Sequence, residues 1–123
     1  MRIVRHQMSW RILKPEWIKR SECLLNLSLE GGYRISELCA VLDCSERYLH
    51  SVFLRDIGLP PKEWMHRNRM VRARHLVRAE VDDDETSRQL GFSHPNSFRR
   101  EFVKVYGMTP KAFRERAAHP STD

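Results

Sequence analysis

The residues best equipped for chemistry in this 123-residue chain are its arginines, 17 of the 22 basic side chains. A guanidinium is a poor acid, base or nucleophile. Its fork of donors pairs instead with a phosphate or with the edge of guanine. Sixteen acidic residues leave a formal charge of +6 and a pI near 9.7. Charge alone fits a merely soluble basic protein as well as one that binds a polyanion, so its placement has to decide. Other reactive side chains are badly spaced for a site. Cys23, Cys39 and Cys44 are odd in number, with no CxxC and no Cys/His cluster at zinc spacing; they read as reduced, buried residues of a cytosolic protein. His66 and His75 lie nine apart without an acidic partner motif. Nothing resembles a nucleophile elbow, a phosphate loop or a metalloprotease helix. No catalytic residue, metal site or cofactor is predicted, and the chain reads as a non-enzyme. No apolar run approaches membrane-spanning length, and the N-terminus lacks the apolar core of a signal peptide. The expectation is a cytoplasmic protein with no membrane partner.

The elements that must position the arginines are announced by a repeat. Leu49, Phe53, Ile57, Gly58, Pro61, Lys62 and Trp64 recur as Phe98, Phe102, Tyr106, Gly107, Pro110, Lys111 and Phe113, each pair 49 positions apart. Upstream, Leu42-Asp43-Cys44-Ser45 answers Leu90-Gly91-Phe92-Ser93 at a spacing of 48. Each copy reads as a helix end, a tight turn, a Ser cap and an amphipathic helix closed by Gly. That is the outline of a helix-turn-helix, the unit that lays a helix in the DNA major groove. Two copies in so short a basic chain point to double-stranded DNA. In the first copy the apolar stripe is Leu49, Val52, Phe53 and Ile57. Arg47, His50 and Ser51 lie off that stripe, one turn apart, and face outward together. In the second, Phe98, Phe102, Val103 and Tyr106 are predicted inside, and Asn96, Arg99 and Arg100 outside.

Residues 1–14 mix Arg with Ile, Val, Met and Trp and read as a short strand or a loose basic arm. Pro15 suits the first turn of a helix. Trp17, Ile18, Cys23 or Leu24, Leu25 and Ser28 then keep helical spacing until Gly31-Gly32. Ile35, Leu38, Cys39 and Leu42 form the inner face of the next helix, which starts at Arg34 or Ser36. Asp43-Cys44 is the turn, where Asp tolerates a left-handed backbone, Ser45 is the cap, and Gly58 is the stop. Pro60-Pro61 open a long helix to about Ala79, with Trp64, Met65, Arg69, Ala73, Leu76 and Val77 near one face. The acidic run Asp82-Asp83-Asp84-Glu85 suits the start of the following helix. Ser93 is the predicted cap of the second recognition helix. Gly107-Met108-Thr109-Pro110 starts a last helix carrying Phe113. The expected segments are an N-terminal arm (1–14), a first helix-turn-helix subdomain (15–59), a linker helix (60–80), a second subdomain (81–116) and a frayed tail (117–123).

From Ile35 to Arg114 the chain resembles the DNA-binding domain of the AraC/XylS transcriptional regulators. The specific part is Gly91-Phe92-Ser93, Ser97-Phe98, Phe102 and Tyr106-Gly107-Met108-Thr109-Pro110 with Phe113-Arg114. Leu38, Ser45, Leu49, Phe53, Gly58, Trp64, Arg69 and Ala73 extend it over about 80 residues. The resemblance implies an all-α fold of about seven helices, two helix-turn-helix subdomains joined by a long central helix. It implies that both recognition helices enter successive major grooves. By the same likeness Arg47, His50 and Ser51, then Asn96, Arg99 and Arg100, would touch base edges. Three departures stand out. Asp83 and Thr86 sit where the family usually has Ile or Val, with Ser87 in place of Ala, so the helix over 83–90 is predicted to lack core-facing residues. Asn68 replaces a usually apolar position in the linker helix. There is also no room for the sensor domain most members carry, which suggests a stand-alone member or a DNA-binding fragment.

The resulting expectation is a sequence-specific, double-stranded DNA-binding transcription regulator of the bacterial cytoplasm, associated with the nucleoid. Ser45 and Ser93, at the helix N-termini, would contact phosphates. Two motifs in one chain allow an asymmetric site and a monomeric binder. The alternative is an AraC-like protein-interaction module acting on RNA polymerase or another regulator, favoured only by the polar helix over 83–90.

Overall fold

A computed structural model describes residues 1–7, 9–14 and 22–118. Among the described residues three short strands precede seven helices: β1 (Arg2–His6), β2 (Ser9–Leu13), β3 (Glu22–Cys23), α1 (Leu24–Glu30), α2 (Ile35–Leu42), α3 (Glu46–Asp56), α4 (Pro61–Arg78), α5 (Asp83–Gln89), α6 (Pro95–Tyr106) and α7 (Pro110–Ala118). The chain divides inside α4 into two compact units, Met1–Asn68 and Arg69–Asp123.

In the first unit, Arg2–His6 and Ser9–Leu13 take the strand form rather than the loose arm. The sheet is antiparallel in the order β1-β2-β3. Its register pairs Ile3 with Ile12 and Arg5 with Trp10. Ile3 and Ile12 are buried together with Leu24, Leu38, Leu42, Leu49, Val52, Phe53, Trp64 and Met65. The Phe53 and Trp64 rings meet edge to face at 5.7 Å, the offset geometry that aromatic quadrupoles favour. The edge of β1 is closed from α3: the Ile3 N–H donates to Asp56 at 2.8 Å, and Arg55 donates to the Met1 carbonyl at 2.7 Å. Unpaired strand edges invite foreign strands, and these two side chains occupy the groups that would do so. The helix expected from Pro15 starts only at Leu24, because Glu22 and Cys23 pair with β2 instead. Its predicted first turns, with Trp17 and Ile18, lie outside the described residues. Asn68 turns back on its own helix, donating to the Trp64 carbonyl at 2.8 Å. This satisfies the amide where an apolar residue was expected.

The second unit is built on an aromatic row. Phe98 and Phe102 are fully buried, and Phe102 meets Phe113 edge to face at 5.5 Å. The Tyr106 hydroxyl donates to the Met70 carbonyl at 2.6 Å. Met70 itself is buried with Ala73 and Val77, an inward position that the reading of the linker helix missed. Arg69 donates to the Leu90 carbonyl at 2.8 Å and lies 3.4 Å over the Phe92 ring. Among the described residues no helix is long and apolar enough to cross a membrane.

Candidate nucleic-acid interface

The first recognition helix is α3. Asp43 adopts the left-handed conformation anticipated for it, φ 52° and ψ 56°, which lets the chain reverse between α2 and α3. The Ser45 hydroxyl then accepts the Tyr48 N–H at 3.1 Å and caps α3. Burial of Leu49, Val52 and Phe53 fixes the helix about its axis. Arg47, His50 and Ser51 are left exposed. The Ser51 hydroxyl donates to the Arg47 carbonyl at 3.2 Å. Among the described residues no group pairs with the Arg47 guanidinium or the His50 ring. A surface hollow of about 590 Å³ lies beside them, lined in part by Arg47, His50, Ser51 and Lys62.

The second recognition helix is α6, and its cap differs from the expectation. His94, not Ser93, holds the N-cap position, and its Nδ1 accepts the Asn96 N–H at 3.1 Å. Pro95 supplies the first helical residue, whose missing N–H costs nothing there. Ser93 is exposed one residue upstream. Phe98 and Phe102 point inward, but Val103 does not: it is 41% exposed. It shares the outer face with Asn96, Arg99 and Arg100, to which it is related by three-, four- and seven-residue steps. Leu54, 49 positions earlier, is equally exposed on α3 at 46%. The sequence signal for this apolar pair was the repeat itself. An exposed apolar side chain on such a face can meet a thymine methyl.

The outer face of α6 is bound up in ion pairs. Arg99 donates through Nε to Asp83 at 2.8 Å and through a terminal nitrogen to the Asn96 carbonyl oxygen at 2.6 Å. The other Asp83 oxygen receives Arg114 at 2.5 Å, and Arg114 also reaches the Val81 carbonyl at 2.9 Å. Burial by itself would push the Asp83 carboxyl up, but the bonds from Arg99 and Arg114 outweigh it and hold it below the usual carboxylate range. Thr86 and Ser87 are buried, and the Thr86 hydroxyl donates to the Val81 carbonyl at 3.3 Å. The helix expected to be defective therefore has polar residues with partners. Arg100 makes only a long contact, 3.4 Å to the Ser97 hydroxyl.

Burial pushes the Cys39 thiol up to about 11, with its neighbour Cys44 adding to the effect, so it stays protonated. Among the described residues no group of three or more His, Cys, Asp or Glu converges as a metal site would require.

A family model described as a helix-turn-helix domain matches residues 38–116. The C-terminal domain of the two-component response regulator yesN from Fusobacterium nucleatum superposes with a TM-score of 0.65 at 31% identity, covering 74% of this chain and 90% of that one. An AraC-type regulator structure from Chromobacterium violaceum gives a TM-score of 0.62 at 21% identity, covering 79% and 90%. The HTH-type transcriptional activator RhaR of Salmonella dublin is 31% identical over 88 residues, 71% of this chain and 31% of RhaR. The chain belongs to the AraC/XylS family. It spans about a third of the length of the curated relatives it matches. What it shares with these AraC-type proteins is the helix-turn-helix domain.

Proposed function

We propose that this chain binds double-stranded DNA sequence-specifically and regulates transcription. The observation that carries the reading is the pair of recognition helices. In each, a buried apolar stripe turns a polar, arginine-bearing face to solvent, and the two faces recur at one sequence spacing. Arg47, His50 and Ser51 on α3, and Asn96, Arg99 and Arg100 on α6, are the proposed base-contacting side chains. Ser45 at the start of α3 and Ser93 beside the start of α6 are the proposed phosphate contacts. With two motifs in one chain, no symmetric partner is needed, and the binder is a monomer. The interaction-module reading loses its support, because Asp83 and Thr86, the polar residues at its core-facing positions, bond within their own unit.

Selection of bound sites from random duplexes tests this reading. An asymmetric consensus is expected. Log K for that site should fall linearly with log salt, with a slope of about −5 if ~6 phosphates are neutralised. Recovery of no consensus would remove sequence specificity, and a slope near zero would remove the electrostatic mechanism.

A further inference from the structure

We propose that Asp83 restrains the DNA affinity of the second motif, as an internal competitor that DNA must displace to engage Arg99. The proposal rests on the DNA-binding reading above and refines it at one helix.

A guanidinium reads guanine by presenting two donors from one edge. On Arg99 the Nε donor is spent on Asp83 and one terminal nitrogen on Asn96. Asn96 in turn spends its carbonyl oxygen, the atom with which an asparagine accepts from adenine. Two of the three polar side chains proposed to read bases from α6 are therefore engaged with each other and with Asp83. Asp83 cannot follow Arg99 outward, because Arg114 anchors its other oxygen and is itself anchored to the Val81 carbonyl. The link is exchangeable all the same. The Arg99 side chain is 44% exposed against 17% for Asp83, and an ion pair open to water on one side is weak enough for a phosphate or guanine to replace it. Engagement of Arg99 through its Nε edge thus costs the Asp83 bond first. Arg100 carries no such restraint.

The experiment measures Kd for a duplex selected from random sequence and for an unselected duplex, with thermal melting as a check on folding. Asp83→Asn should tighten binding to both duplexes roughly 3–10-fold and steepen the salt slope by about one. Adding Arg99→Ala should abolish that gain. In the native background Arg99→Ala should cost clearly less than Arg100→Ala. A folded Asp83→Asn variant that binds no tighter overturns the proposal. So does a gain that survives Arg99→Ala, which would be mere relief of charge repulsion. If Asp83→Asn does not fold, the two arginine variants decide: an Arg99→Ala cost equal to or above that of Arg100→Ala overturns it. Failure of the unmodified chain to bind any duplex would instead sink the DNA-binding reading itself.

Discussion

Ile35, Leu38 and Cys39 on α2 and Asp83, Thr86 and Ser87 on α5 hold matching places in the two motifs, 48 positions apart. The first set seats its helix by burying hydrocarbon. The second seats the same kind of helix with the Thr86 hydroxyl on a carbonyl and a carboxylate between two arginines. The choice has consequences beyond packing. An apolar helix asks nothing of its recognition helix except a complementary surface, so Arg47 and His50 stay open. A carboxylate at the equivalent of Ile35 needs cations, and one of those it draws on is Arg99, from the face proposed to read DNA. Stability and the proposed recognition are separate in the first motif and share a residue in the second.

The comparison breaks most visibly at the aromatic row. Phe102 is fully buried and touches Phe98, Tyr106 and Phe113. Phe102→Ala should cost roughly 3–5 kcal/mol, read by chemical denaturation, and the loss should concentrate in Arg69–Asp123. Unchanged unfolding would mean that the polar seat, not the rings, holds the second unit.

Replacing that polar seat with the apolar pattern of the first motif is the next test. Read from sequence alone, Asp83→Ile or Thr86→Ile repairs a defective face and stabilises. The structure reverses the sign. Asp83→Ile strands Arg114 and Arg99 and should cost on the order of 1–3 kcal/mol. Thr86→Ile loses the Val81 bond and overfills a closed site, at a similar cost. A gain in stability from either would show that the ion pairs are ornaments on an otherwise underpacked helix.

The two motifs should also differ in binding. Arg47→Ala should cost about 1–3 kcal/mol at the selected site and relax base preference in one part of it. Arg100→Ala should do the same in another part. Loss of selectivity for Arg47→Ala with none for Arg100→Ala would make the second motif a scaffold and leave recognition to the first alone.

The first unit has a tied-down carboxylate of its own. The bonds from Arg55, ahead of the Ile3 N–H, hold Asp56 down to about 2 from 3.8. A depressed carboxylate contributes fully above its unfolded pKa and is lost as the pH falls through the folded one. Acid titration should therefore weaken the sheet–α3 contact between about pH 4 and pH 2, and Asp56→Asn should remove that dependence.

What sequence showed and what it hid divides by range. Helical stripes such as Leu49, Val52 and Phe53 are local, and so is the Ser45 cap; three- and four-residue steps reveal both. The partners of Asp83 lie 16 and 31 positions away, beyond any periodicity, so an ion-paired helix looks like a poor one. Val103 was read inward because an apolar residue beside Phe102 fits a stripe, yet helical phase puts it with Asn96 and Arg99. Ser93 was the better capping chemistry, and Pro95 moved the helix start so that His94 took the role. The strand pairing of Glu22 and Cys23 with β2 was illegible because two residues carry no alternation.

The smallest expected effect lies at the turn, where the motifs place Asp43 and Gly91 in corresponding positions. Both are left-handed, with φ 52° and 76°. An L-residue with a Cβ pays for that conformation, less for Asp than for most, while Gly does not. Gly also loses more freedom on folding, which offsets part of the gain. Asp43 has a second disadvantage: a carboxylate at the C-terminal end of α2 faces the negative end of its dipole. Asp43→Gly should therefore raise stability by up to about 1 kcal/mol, and Gly91→Asp should lower it by a comparable amount. Gly91→Val should cost more, since a β-branched residue rarely enters this region. If Asp43→Gly is destabilising while Gly91→Asp is neutral, the Asp43 side chain has a role in the first motif that backbone conformation does not explain, and the two turns are not equivalent after all.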